Sequence, residues 1–264
     1  MKKALVAVLT VILAASAFAG VAGLDISGRW FNANTGNYSE KLSTFPASTV
    51  HGDFPAVIYE GSLRLPLLGP IGADIKARYG TVARQTMNLD NMPGSGNMST
   101  TIDATIIGGR VDPGLSLGFG AFKADIFGSA QYVYTRKNFY DWKTGATITT
   151  PGDAGHFIIN YLLAGAGARL TVDLGSIGLR GEIIGYPLTS NTVDYINPSG
   201  PGSTKSTGTS YMYEAAAVLR PLPFFEVSGG YRYEDIFFGE DIKTNNYSLS
   251  IKLSGVFVEG KISF

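Results

Sequence analysis

Along much of this chain, apolar and polar residues alternate with a period of two. In 59–65 one face carries Tyr59, Gly61, Leu63 and Leu65, and the other Glu60, Ser62 and Arg64. In 71–79, Ile71, Ala73, Ile75, Ala77 and Tyr79 oppose Asp74, Lys76 and Arg78. The same division recurs in 162–172, 211–219 and 225–233, where Phe225, Val227, Gly229, Tyr231 and Tyr233 oppose Glu226, Arg232 and Glu234. At the end of the chain, Val256, Val258, Gly260, Ile262 and Phe264 share one face, with Glu259, Lys261 and Ser263 on the other. Only a β-strand with one apolar and one polar side gives this period.

A water-soluble sandwich would show the same alternation with its apolar face buried. Three features favour the membrane version, in which the apolar face points out to lipid. Strands of about ten residues, the last closing on the apolar aromatic Phe264, fit a membrane barrel whose final strand pairs with the first. Tyr79, Tyr132, Tyr134, Tyr211, Tyr213, Tyr231 and Tyr233 sit toward the strand ends, where an interfacial girdle needs them. Lys2 and Lys3 precede an apolar run from Ala4 to Phe18 that closes on Ala17-Phe18-Ala19 before Gly20. That run is shorter than the roughly 20 residues of a spanning helix, and its flanks read as a cleaved signal peptide. The expected organisation is therefore a signal peptide over 1–19, cut between Ala19 and Gly20, and one outer-membrane β-barrel domain over 20–264.

The expected fold is all-β, a transmembrane antiparallel up-and-down barrel of about ten strands, with eight or twelve as alternatives. Short turns are expected at 66–70, 111–114, 173–176 and 220–223, where Pro and Gly supply turn geometry. Long polar loops are expected at 33–55, 86–100, 137–155, 189–208 and, shorter, 239–245. Face parity slips near 121–123 and at Ser254-Gly255; both read as bulges. Short turns and termini go to the periplasm, long loops to the cell exterior.

Charge then bears on function. Without Lys2 and Lys3, 19 basic residues face 21 acidic ones, which leaves no nucleic-acid footprint. There is no Cys, hence no disulfide or thiolate metal site. The polar strand faces make Glu60, Arg64, Asp74, Lys76, Arg78, Asp103, Arg169, Arg180, Glu182, Glu214, Glu226, Arg232 and Glu234 the candidate lumen-lining residues. Opposite charges in so narrow a space should pair across strands. A salt-bridged, plugged interior is favoured over a narrow polar pore, because ten strands leave little more room than the eight that side chains fill.

Catalytic chemistry finds little support. His51 has Asp53 nearby, and His156 has Asp153 three residues before it but no neighbouring Ser for a nucleophilic dyad. Asp90, Asp141 and Asp153 are scattered carboxylates without ligand spacing. No cofactor, metal or enzymatic activity is expected. The expected role is structural, with exposed loops and weak passive permeability. The alternatives are a narrow channel, a surface-binding protein acting through its loops and, last, a lipid hydrolase.

Several short pieces carry a resemblance: Gly23-Leu24-Asp25-Ile26-Ser27-Gly28 with Trp30, Leu65-Pro66-Leu67-Leu68, Asp103-Ala104-Thr105, Gly229-Gly230-Tyr231-Arg232 and the terminal Phe264. They resemble a family of small, largely uncharacterised proteobacterial outer-membrane barrels. The resemblance implies a Gram-negative outer-membrane location with lipid and lipopolysaccharide as surroundings. It also implies that Phe264 is read by the barrel-assembly machinery. It brings no catalytic residues.

Overall fold

The computed structural model describes residues 23–41, 49–92, 96–144, 147–197, 200–239 and 248–264. The expected signal peptide and its Ala19–Gly20 cleavage point lie outside these residues. Within them the chain is a closed antiparallel barrel. Its segments are β1 (Asp25–Lys41), β2 (Thr49–Asp53), β3 (Ala56–Leu68), β4 (Ile71–Met92), β5 (Gly96–Phe119), β6 (Phe122–Thr144), β7 (Thr147–Asp173), β8 (Ile177–Asn197), β9 (Gly200–Leu222), β10 (Phe225–Phe238) and β11 (Ser248–Ser263). From β3 onward each pairs with the next in sequence, and β1 pairs with β11 to close the ring. β2 and β3 both lie between β1 and β4 and are two halves of one stave, interrupted at Phe54-Pro55. Ten staves result. Closure leaves no open edge, which is what a bilayer demands of a sheet.

The short connections depart from expectation at one place. Val111-Asp112-Pro113-Gly114 is not a turn but lies inside β5, paired to both β4 and β6. Asp112 turns inward to accept from Arg110 Nε at 2.8 Å and Ser129 Oγ at 2.6 Å. A Cβ on Gly114 would meet Phe127 Cβ at 2.5 Å, so this glycine serves close packing rather than chain reversal. The reversal comes at Gly120-Ala121, with Gly120 at φ 60°. The parity slip at 121–123 is this turn, not a bulge. At Ser254-Gly255 β11 keeps one parity, with Leu253 and Phe257 both buried inside, so the slip is the apolar pattern changing face and not a bulge in β11. The extra residue lies opposite on β1, where Asn32 pairs with Val256 but Thr35 with Ser254.

The long polar segments hold the larger correction. Most of 86–100, 137–155 and 189–208 is not loop but paired strand. The β8–β9 ladder, for example, runs unbroken from Thr189↔Gly208 to Asn197↔Gly200. The segment 33–55 likewise contributes the upper part of β1 and all of β2. The remainder of 33–55 at 42–48, and all of the fifth expected loop past Gly239, lie outside the described residues.

These extensions give the barrel two unlike halves. In the half next to the short turns, Ile75, Val111, Ile126, Leu170, Ile183 and Val258 face out and are exposed, forming an apolar belt. Trp30, Tyr59, Tyr79, Tyr132, Tyr134, Tyr211, Tyr213, Tyr231 and Tyr233 face out along one margin of that belt. Phe119, Phe122, Phe224 and Phe264 are exposed along the other. This is the surface of a transmembrane barrel. In the long-hairpin half the faces exchange. Thr86, Asn88, Asp194, Lys205 and Lys252 face out, while Phe54, Met87, Leu89, Ile102, Val193, Phe238 and Leu249 are buried inside.

Candidate functional site

The interior is the candidate site, since among the described residues no other region gathers so many charges. Twelve of the thirteen residues expected in the lumen are on the inward face; the exception is Asp103. Its neighbours Ile102 and Ala104 are the buried, inward ones. Asp103 points outward, accepting from Asn138 Nδ2 at 2.7 Å and Tyr140 OH at 3.0 Å. The alternation through Ile107, Gly109 and Val111, all outward, would have placed it there. The same count makes Arg110 and Asp112 inward, two lumenal residues that the turn assigned at 111–114 concealed. Arg29, Asp125 and Glu259 are also inward, each on the polar side of its own alternation.

In the transmembrane half these charges pair across the lumen. Arg29 donates to Glu214 at 2.6 Å and to Glu259 at 2.8 Å. Arg78 reaches Glu234 at 2.9 Å, and Arg232 reaches Glu60 at 2.7 Å. Arg169 joins Glu182 at 2.7 Å and Asp74 at 3.0 Å, while Arg110 holds the other oxygen of Glu182 at 2.9 Å. Arg64 binds Asp125 at 2.9 Å, and Arg180 binds Glu259 at 2.5 Å. At the short-turn rim Glu226 takes Arg220 at 3.1 Å and Lys261 at 3.2 Å. Arg78–Glu234, Arg232–Glu60, Arg110–Glu182, Arg169–Asp74 and Arg64–Asp125 each join strands that are not hydrogen-bonded neighbours. Such charges are tolerable out of water because each has a partner at hydrogen-bond distance. A cavity of about 130 Å³ sits among them, toward the short turns, lined by Arg64, Asp74, Lys123, Asp125, Arg220 and Glu226 among others.

Beyond the ionic layer, the interior becomes apolar. Arg29 lies 4.3 Å over the Phe257 ring and Arg232 5.4 Å over Phe31, so cation–π contacts join the two layers. Phe31, Phe54, Ile58, Met87, Leu89, Ile102, Ile159 and Phe238 follow, each less than 2% exposed. Within this apolar filling Lys137, in the hairpin half, donates to Tyr38 and to Glu40, and lies 3.9 Å over the Tyr38 ring. Burial pushes the Lys137 amine below its ordinary value, with Glu40 acting against that shift.

The histidines are elsewhere. His51 and His156 both face outward from the hairpin half. His51 Nδ1 lies 3.4 Å from Asp90, not from Asp53, and both side chains are about two-fifths exposed. Asp153's side chain lies outside what is described. Among the described residues no three His, Cys, Asp or Glu converge as metal ligands. The outward tyrosines pack together: Tyr233 stacks on Tyr213 at 5.0 Å and on Tyr211 at 5.8 Å. The Tyr211 and Tyr233 hydroxyls donate to Asp235 at 3.3 and 3.1 Å.

No protein-family model and no characterised protein matches the sequence. Solved structures are similar in shape. The outer membrane protease OmpT from Escherichia coli aligns at TM-score 0.70 and 11% identity over 91% of this chain and 97% of that one. The transport unit of the autotransporter AIDA-I from Escherichia coli aligns at 0.44 and 12%, covering 92% and 90%. A major outer membrane protein from Thermus thermophilus aligns at 0.39 and 11%, covering 91% and 99%. At these identities the likeness is one of fold, and the first alignment carries it. The chain has the fold of an outer-membrane β-barrel.

Proposed function

We propose that this protein is an exported integral outer-membrane barrel that does not conduct, and whose work is done by its water-exposed hairpin half. Short turns and termini face the periplasm, and the barrel-assembly machinery receives the chain through the strand that ends at Phe264. The single observation behind this reading is the doubly filled lumen. A solute entering from the short turns meets the cavity of about 130 Å³, then the cross-lumen arginine–carboxylate layer, then an apolar filling of side chains such as Phe31, Ile58 and Phe238. Neither a hydrated ion nor a small sugar passes packed aromatics without displacing them. The sealed interior argues against both weak permeability and a narrow channel. It leaves the outward surface of the upper half as the part available to partners.

The test is single-channel recording on the refolded chain in a planar bilayer. Insertion is checked separately by the mobility shift on heating that folded barrels show in gels. A silent bilayer containing folded barrel supports the proposal. Discrete, reproducible current steps would overturn it and make the lumenal arginines selectivity determinants.

A further inference from the structure

All ten arginines lie in described strands. Eight point into the lumen or its short-turn rim, each with a carboxylate oxygen within 3.0 Å. The two that point outward, Arg84 and Arg136, are neighbours on one patch. At the register shift after Val82, both Ala83 and Arg84 are exposed, which brings Arg84 outward beside Asp103. Its side chain is 59% exposed, lies 3.9 Å over the Tyr140 ring, and has its nearest carboxylate, Asp103, at 4.0 Å. Arg136 donates through Nε to Asn138 at 3.1 Å and has no carboxylate at ion-pair distance among the described residues. Asn138 in turn donates to Asp103. The two guanidiniums therefore flank an Asp103–Asn138 pair that holds their spacing, with their remaining N–H groups toward solvent. Among the described side chains, two cations stand against one already-engaged carboxylate, which makes the patch positive.

Its height decides what it meets. Arg136 is two residues beyond Tyr134 and Arg84 five beyond Tyr79, on the hairpin side of the aromatic margin. In an outer membrane that level is the headgroup zone of the outer leaflet. A planar fork of donors fits phosphate oxygens in pairs, which an ammonium does not. We propose that Arg84 and Arg136 form a binding site for the phosphate groups of an outer-leaflet glycolipid, lipopolysaccharide. Asn138 and Tyr140 hold the arginines in place. The inference rests on the membrane reading above and deepens it.

The experiment measures retention of purified lipopolysaccharide by the refolded full barrel in detergent, using native mass spectrometry. The variants are wild type, Arg84→Ala/Arg136→Ala and, as a control, Lys252→Ala, an outward cation on another part of the ring. Each lost guanidinium–phosphate contact should weaken binding about tenfold, and Lys252→Ala should change it less than about twofold. Dephosphorylated lipopolysaccharide should bind wild type no better than the double variant binds the intact lipid. Equal retention by wild type and double variant would overturn the site. Undiminished binding of the dephosphorylated lipid would overturn its phosphate chemistry. Competition by inorganic phosphate at concentrations matching the lipid would make it a free-phosphate site and overturn the lipid assignment. Gel mobility on heating and insertion into liposomes are scored on the same samples. A chain that does not insert contradicts the membrane reading itself, whereas an inserted barrel without lipid preference contradicts only this inference.

Discussion

The two halves of this barrel use the same strands and the same alternation, yet invert what the alternation means. In the transmembrane half the outward residues are apolar because lipid surrounds them, and the inward ones are charged and paired. Ile126 and Asp125 are successive residues of β6 that show it: one exposed to the belt, the other held by Arg64. In the hairpin half, Asn88 faces out and Leu89 is buried inside. An apolar interior drives folding only where the outer face meets water. Surrounded by lipid, an apolar side chain gains little by turning inward, so pairing of polar groups becomes what distinguishes inside from outside. The lower half is thus held by ion pairs and the upper half by a hydrophobic core, within one continuous sheet.

That contrast can be broken from either end. The largest effects should come from the two fillings. Glu182→Leu removes the buried carboxylate that Arg110 and Arg169 share in the lower half, leaving Arg110 to Asp112 and Arg169 to Asp74, and should cost about 3–5 kcal/mol in urea unfolding of the inserted barrel. Phe238→Ala, which empties a fully buried site in the upper half, should cost a similar amount, about 3–5 kcal/mol in the same measurement. Next come the outer faces. Ile126→Arg places a cation in the lipid belt and should cost about 2–4 kcal/mol. Thr86→Arg, also outward but above the girdle, should stay within about 0.5 kcal/mol. Equal costs for those two would erase the distinction between the halves.

The smallest effect concerns Lys137. Its lowered pKa means that folding penalises the charged amine. That penalty is present in full below the lowered folded value. It fades as pH rises from there toward the ordinary 10.5, so stability should rise with pH through that window. In Lys137→Met this rise should be smaller. A rise of the same size in the variant would place its origin elsewhere.

How much of this was legible in the sequence follows the same division. Where lipid meets charge, as in 71–79 and 225–233, alternation between Ile or Tyr and Arg or Glu is unmistakable, and the faces were assigned correctly. In the upper half the outward residues are Thr, Asn, Ser and Lys, with few apolar neighbours in an uninterrupted row. Stretches such as 189–208 therefore read as polar loop, although Asn191 and Val193 are buried at successive inward positions. Asp112-Pro113-Gly114 misled for a local reason. Its turn chemistry is real, but the inward ion pair with Arg110 and the close packing of Gly114 on Phe127 keep the strand extended. Cross-lumen partnerships such as Arg78 with Glu234, 156 positions apart, depend on ring closure and leave no signal in spacing.

The chain contains no Cys, so single cysteines can report their surroundings without background. The most direct test of the inverted halves is the labelling rate of Ile126→Cys and Thr86→Cys by a membrane-impermeant thiol reagent, in barrels inserted into liposomes from one side. The account predicts rapid labelling at position 86, and protection at 126 until the bilayer is dissolved. Labelling at 126 as fast as at 86 in the intact bilayer would contradict it, because the belt would then face water.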